Sequence, residues 1–305
     1  MYTKRAEQMA TESRNPVTQF STSFVRHVLL GYTQYTLPHH LLSLLMYAFT
    51  RWRWTPVKNG FTRWFVRRFR VDLDSAVDPD PTSYDCFNSF FTRPLKADAR
   101  PLPNSESCLV SPADGVISQL GPIRAGQLLQ LKGCEYDAYE LLRCDADSAR
   151  PFEEGRYVTV YLSPRDYHRV HLPCDAQLRS MTYVPGRLFS VNALTTELIP
   201  RLFARNDRLV MHFSTVWGPM ALVMVGAIFV GSMTTVWRGQ VTPPYGSRVD
   251  TEDYQNRELL YRRGDEIGRF NMGSTVVLLV PPTAPGWLPD LEPGSAVRVR
   301  QAISS

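Results

Sequence analysis

Between Ser13 and Val71 the sequence has no aspartate or glutamate, while the same stretch carries Arg14, Arg26, Arg51, Arg53, Lys58, Arg63, Arg67, Arg68 and Arg70. Acidic residues are common after Asp72, so the first 71 residues differ in kind from the rest. The overall formal charge of +5 leaves nucleic acid, an anionic membrane surface and unspecific basicity open; its uneven distribution carries more information. Cysteine is scarce as well. Cys86, Cys108, Cys134, Cys144 and Cys174 are odd in number and lack CxxC spacing, which argues against a zinc site and a disulfide framework. Thiols in a reducing compartment are the simplest reading. The extreme N-terminus has no apolar core segment, so no cleaved secretory signal is expected.

Long apolar runs are few. Leu41–Phe49 is too short to cross a bilayer, which takes about 20 helical residues. Trp217–Trp237 is uncharged over 21 residues, but it contains Gly218, Pro219, Gly226 and Gly231 and is rich in Val, Ile and Thr. Two buried strands bent at the glycines fit it better than a spanning helix.

What is present divides in two. Val17–Leu37 has helical apolar spacing and stops at Pro38; His39–Trp54 reads as a second helix. Val57, Phe61, Trp64, Phe65 and Phe69 line one side of a third, with Arg63, Arg67 and Arg70 on another. Cations interleaved with Trp and Phe on short amphipathic helices suit a lipid headgroup zone, although a helical hairpin with a solvated basic face is the compatible plain reading. Residues 71–82 form an acidic, Pro-containing linker. Tyr84, Phe87 and Phe91 then follow at helical spacing. After about residue 105 the signal turns to strands: Tyr157–Leu162, Leu209–Phe213, Ala221–Val225, Thr275–Val280 and Ala296–Arg300, separated by turns such as Asp114-Gly115 and Pro185-Gly186. The expected fold is α+β, a helical N-terminal module on a mainly β domain.

Of six histidines, His27, His39 and His40 fall in the N-terminal helices and His212 lies alone in a strand. His168 and His171, in YLSPRDYHRVHLP, remain as acid/base candidates. Their spacing brings them together in a turn or parts them across a strand. A zinc pair there lacks an obvious third ligand. Asp114 in SPADG and Ser274 in FNMGST each read, alone, as turn residues. The absence of a GxSxG elbow weakens a lipase or esterase reading. A Gly-Ser pair does permit one unusual reaction, attack of the serine hydroxyl on the preceding carbonyl. Glycine removes the Cβ that would obstruct the approach, and a base must activate the weakly nucleophilic hydroxyl. The residues alone do not single that reaction out.

Six segments in order, FFTRPLKADARPL (90–102), SPADG (111–115), YLSPRDYHRVHLP (161–173), LFSVN (188–192), ALVMVGAIFVGSMTTVW (221–237) and GDEIGRFNMGSTVVLL (264–279), resemble the bacterial phosphatidylserine decarboxylase family. The basic N-terminus resembles the membrane-docking region of its members. Two positions depart from the pattern: Asp207 stands where Glu is commoner between Asn206 and Arg208, and Ile228 follows Gly226-Ala227 where Thr is commoner. The resemblance implies a membrane-association region over 1–71 and a mainly antiparallel catalytic domain over 72–305. It implies that Asp114, His171 and Ser274 form a self-processing triad in which His171, oriented by Asp114, deprotonates Ser274. Cleavage at Gly273-Ser274 would leave a β chain 1–273 and an α chain 274–305 whose first residue is a pyruvoyl group. That group would form a Schiff base with phosphatidylserine and release CO2 to give phosphatidylethanolamine, with no metal. His168 would donate the proton to the resulting carbanion. Tyr167, Leu188 and Phe189 are the candidates for the substrate pocket. The implied partners are an anionic lipid surface and a second copy in a homodimer, with no nucleic acid; the implied place is the cytoplasmic face of the bacterial inner membrane. The rival readings are a Ser/His/Asp hydrolase that does not cut itself, a pyruvoyl enzyme for a soluble amino acid, and a non-enzymatic membrane-binding module.

Overall fold

All six residues of Thr275–Val280 are buried, and their side chains alternate between two separate cores. Val276, Leu278 and Val280 join one core, Val277 and Leu279 the other. A strand apolar on both faces belongs in the middle of a layered structure, and this is where the chain places it. The computed structural model describes residues 33–131, 134–229 and 232–305. His27 and most of the expected Val17–Leu37 helix lie outside the described residues.

The strands are β1 (Gly115–Pro122), β2 (Gln127–Leu131), β3 (Cys134–Asp137), β4 (Arg156–Tyr161), β5 (Arg169–His171), β6 (Ala176–Val184), β7 (Arg208–Thr215), β8 (Gly218–Val225), β9 (Met233–Thr235), β10 (Gly239–Thr242), β11 (Asp250–Asp253), β12 (Leu260–Tyr261), β13 (Glu266–Phe270), β14 (Thr275–Val280) and β15 (Ala296–Val297). The main sheet runs β11-β6-β7-β8-β14-β4-β1-β15, with β12 also on β6, and its paired strands are antiparallel. On one face lies the smaller sheet β10-β9-β13-β5, which contributes Met233, Ile267, Phe270 and Val170 to the shared core. On the other lie the β2-β3 hairpin and short helices Ala138–Leu142, Ala193–Leu198 and Leu202–Arg205, which contribute Leu128, Tyr136, Leu141 and Phe203. Burying each Val or Leu of β14 stabilises the layers by about 1.5–3 kcal/mol, an upper figure because unfolded chains already hide some apolar surface.

The uncharged run Trp217–Trp237 divides into β8 and β9, which belong to different sheets. Among the described residues no helix is long and apolar enough to cross a membrane. The helix expected over His39–Trp54 covers His39–Thr50. It stops where the Arg51 N–H turns back to Ala48, and 52–54 link it to a second helix, Thr55–Phe69. Pro56 sits in that helix's first turn, where its missing N–H leaves no bond unmade. Phe65 of this helix packs with Phe87, Phe90 and Phe91 of the short Phe87–Phe91 helix, and Met272 joins this cluster to the sheet. Residues 71–82 are more than a spacer: Asp72, Asp78 and Asp80 each accept a backbone N–H two residues on, and Ala76 bridges to Leu95. The strand expected over Ala296–Arg300 is only Ala296–Val297, because Val299 and Arg300 turn to other partners and Arg300 takes a left-handed conformation (φ 68°).

Candidate active site

β14 begins one residue after Ser274, and the pairing of Thr275 with Tyr161 on β4 and Val225 on β8 fixes that end of the strand. The Leu162 N–H donates to the Ser274 carbonyl at 2.8 Å. Upstream, Asn271 is held by Ser232 and Thr234 through its amide group, while Asn88 donates to its carbonyl at 2.9 Å. The Gly273-Ser274 peptide is therefore gripped from both sides. Ser274 is fully buried, and its hydroxyl has no hydrogen-bond partner.

The imidazole beside this peptide is His168. A Cβ placed on Gly273 would come within 3.0 Å of His168 Cε1 and 3.2 Å of the Leu162 carbonyl, so only glycine fits without displacement. His168 is itself fully buried. It stacks on Phe91 at 4.1 Å between ring centroids, and neither of its nitrogens has a hydrogen-bond partner. Burial first, and the Arg93 charge second, push its pKa down from 6.5 to about 3. The Ser163 and Pro164 carbonyls oppose the shift without making an aligned bond. At neutral pH the ring is uncharged, the form that can take a proton.

His171 lies in a different setting. Its Nδ1 donates to the Gly264 carbonyl at 2.8 Å, which assigns the bare lone pair to Nε2, and Nε2 meets the Tyr167 hydroxyl at 3.2 Å. Burial lowers the His171 pKa and pushes Tyr167 up to about 12, so Tyr167 stays protonated and donates. Asp114 bonds neither histidine. Arg100 approaches its carboxylate as a fork, at 3.2 Å to Oδ1 and 2.6 Å to Oδ2, and the Val299 N–H donates to Oδ1 at 2.7 Å. The two corners are joined indirectly: Arg300, next to Val299, donates to the same Gly264 carbonyl that holds His171. The backbone also links them, through the His171 N–H to the Pro112 carbonyl at 2.8 Å.

The structure thus gathers His168, Gly273 and Ser274, and links Asp114 to His171 only indirectly, through Arg300 and the backbone. Arg100, Val299, Asn88 and Asn271 were not picked out from sequence. Arg100 lies within the FFTRPLKADARPL segment, whereas nothing local marks Val299 as a partner of Asp114.

A mostly apolar cavity of about 620 Å³ opens on this peptide, with Phe69, Phe91, Leu162, Met272 and Gly273 in its wall and Leu37 and Leu42 of the N-terminal helices across from them. Leu188 and Phe189 are fully buried behind that wall, which the following residues Ser190, Val191 and Asn192 form. Tyr167 faces a separate polar cleft shared with Asp114, Arg93 and Arg100. Among the described residues no group of three or more His, Cys, Asp or Glu is placed to hold a metal ion.

Comparison with known proteins gives this geometry its context. The family model described as phosphatidylserine decarboxylase matches residues 87–305, and one described as PSD matches 29–70. A phosphatidylserine decarboxylase proenzyme of Pseudomonas fluorescens (strain Pf0-1) is 48% identical over 274 residues, covering 89% of this chain and 96% of that protein. One from Methylococcus capsulatus is 48% identical over 277 residues, covering 91% and 96%. One from Shewanella halifaxensis is 47% identical over 275 residues, covering 89% and 96%. With Gly273-Ser274 gripped inside the matched segment, the chain belongs to the phosphatidylserine decarboxylase family.

Proposed function

We propose that this chain is the precursor of a phosphatidylserine decarboxylase that cuts itself between Gly273 and Ser274 and carries a pyruvoyl group at position 274. The observation that supports this most is the buried, unpartnered Ser274 hydroxyl next to a glycine peptide and an unpartnered neutral imidazole. A hydrolase nucleophile would have to face its substrate, and Ser274 is fully buried with no bond to either imidazole. Once Ser274 loses its proton, its oxygen attacks the Gly273 carbonyl. The C–N bond then breaks to give an ester. Removal of the Ser274 Cα proton expels the Gly273 carboxylate and leaves a dehydroalanine, and water converts that to pyruvoyl plus ammonia. The residues around position 274 fit such a group: the Leu162 N–H holds the residue's carbonyl, and the position itself is fully buried. Held by the Leu162 N–H at position 274, a pyruvoyl group would supply a ketone for the substrate amine and an electron sink for loss of CO2.

Either of two imidazoles can serve as the base. The family resemblance gives the Ser274 proton to His171, oriented by Asp114, and gives His168 the later protonation after CO2 loss. The contact of His168 with Gly273 favours His168 for the first step too. Its low pKa also makes it a ready proton donor once charged, since burial and Arg93 both disfavour the cation. In the first assignment Tyr167 must release His171 Nε2.

The apolar cavity supports a lipid substrate. Leu41, Leu45, Trp52, Trp54 and Trp64 are each more than half exposed, beside exposed Arg53, Arg63 and Arg67, which supports peripheral docking on a lipid surface; the cytoplasmic face of the bacterial inner membrane follows from the resemblance alone. The resemblance adds a homodimer. Intact mass spectrometry beside Ser274→Ala tests the reading. The expected wild type is two chains, with a blocked fragment 274–305, and the variant stays whole. A folded, uncut wild type that reacts with an acyl-serine probe moves the hydrolase reading to the front. His168→Ala and His171→Ala, scored the same way, show which imidazole cleavage requires.

A further inference from the structure

A second cleft, of about 390 Å³, lies beside the short helices Ala138–Leu142 and Leu202–Arg205. Arg143, Arg201, Arg205 and Arg208 line it, with Glu140 as the lone carboxylate in the wall. These guanidiniums converge from separate segments. Arg143 follows one helix, Arg201 and Arg205 bracket the other, and Arg208 opens β7.

Their charge is poorly matched. Glu140 is already paired with Arg201 at 2.7 Å. Arg208 is almost fully buried, yet its three hydrogen bonds go to the backbone carbonyls of Glu140, Leu141 and Asn206. Burial first, and the like charge of Arg143 next, pull its pKa down to about 10. Asp207 offsets part of this, but its carboxylate is bonded to His40 and the Gly186 N–H. Arg205 lies against the Tyr35 and Phe189 rings, and among the described residues its guanidinium donates to the Tyr35 hydroxyl alone, at 3.2 Å. The Cys144 thiol and Tyr139 phenol in the wall are both pushed up and stay neutral, Cys144 mainly by burial and Tyr139 mainly by Asp137. On the rim, Asp137 is bonded to Gln127 and Asp145 to the Ser148 N–H.

One buried guanidinium, Arg208, and three less buried ones, Arg143, Arg201 and Arg205, share a concave wall in which Glu140 is the one carboxylate, so their mutual repulsion is relieved when an anion enters. Guanidinium forks match phosphate oxygens better than a point charge does. We propose that this cleft binds a phosphate group, either free or as the headgroup of an anionic phospholipid. The Tyr35 contact puts the cleft next to the N-terminal helices, so both sources can reach it. The inference does not depend on the cleavage chemistry at Ser274.

The test uses the self-processed full chain, wild type and Arg143→Gln/Arg201→Gln; both sites are exposed, so the fold tolerates the change and self-processing reports that it has. Calorimetric titration with inorganic phosphate at matched ionic strength is one arm. Co-sedimentation with phosphatidylcholine vesicles, with and without phosphatidylglycerol, is the other. An Arg248→Gln/Arg257→Gln pair, also exposed and outside the cleft, removes the same charge elsewhere. The cleft variant is expected to lose at least about tenfold in affinity, the effect of removing charge-assisted bonds, while the control pair does not. Loss of phosphate binding alone identifies a free-phosphate site. Loss of the phosphatidylglycerol-dependent sedimentation, with or without the first, identifies a lipid headgroup. Equal behaviour of cleft and control variants in both arms overturns the proposal.

Discussion

His168 immediately precedes β5 and His171 ends it, and both are buried, yet the chain treats them in opposite ways. The His171 ring and the carboxylate near it are matched: the two ring nitrogens by Gly264 and Tyr167, and Asp114 by Arg100 and Val299. At His168 nothing is matched. Two imidazole nitrogens and the Ser274 hydroxyl are buried with no partner. Unmade bonds of this kind cost about 1–3 kcal/mol each, and here three of them gather at one peptide. The matched corner is built as support, the unmatched one as a place where bonds change.

The sharpest way to break this contrast is Ser274→Ala. It removes the nucleophile and is expected to abolish chain cleavage and decarboxylation entirely, with a single chain by intact mass. Gly273→Ala attacks the same corner by sterics. Its methyl meets His168 and a backbone carbonyl, so cleavage is expected to slow by at least about tenfold and stability to fall by about 1–3 kcal/mol, as overpacked sites do. A normal cleavage rate in that variant would remove the close approach from the account.

In the matched corner the expected effect is on stability. Asp114→Asn leaves the Arg100 charge unpaired in a site where both side chains are about nine-tenths buried. Urea unfolding in the uncut Ser274→Ala background is expected to lose about 3 kcal/mol, and Arg100→Met added to it should recover part of that. An undiminished midpoint would show the fork to be dispensable.

The pH dependence comes next. The His168 pKa is about 3 in the folded chain against an ordinary 6.5, so the unfolded chain takes up a proton first as pH falls. Its contribution to stability is complete above 6.5 and is lost as pH drops toward 3, at up to about 1.4 kcal/mol per pH unit. His39, His171 and His212 are shifted the same way and steepen the same limb. His168→Phe should flatten that limb without abolishing it, as read by unfolding at about pH 7 and about pH 5. The smallest stability change is expected from Trp52→Ser/Trp54→Ser: within about 0.5 kcal/mol, since both rings are exposed, but with weaker sedimentation on anionic vesicles.

The layers were legible where chemistry is local. ALVMV is apolar at every position and TVVLLV at all but its leading Thr275, and a strand buried on both faces needs little more. Gly218 and Pro219 likewise betrayed Trp217–Trp237 as strand rather than span. The candidate site was legible only through resemblance, because its contacts are remote in sequence. Phe91 stacks on His168, and Val299 reaches Asp114, across separations no spacing rule covers. Ala296–Arg300 failed as a strand for that reason: Val299's N–H goes to Asp114 instead of to a neighbouring strand. Of the two arrangements left open for His168 and His171, the strand holds: β5 spans Arg169–His171, and the two rings take separate partners, Phe91 and Tyr167.

The position of β14 between β4 and β8 has a further consequence. Its fragment is also clasped at the far end, where Ser304 receives the Leu109 N–H and Gln301 the Ser111 N–H. If the bond before Ser274 is cut in the folded state, folding becomes a one-way event. The precursor folds as one body at a rate independent of concentration, whereas the cut pieces, once apart, can meet again only in a second-order encounter. The lifetime of the mature protein is then governed by the barrier to opening the sheet, not by the equilibrium that formed it.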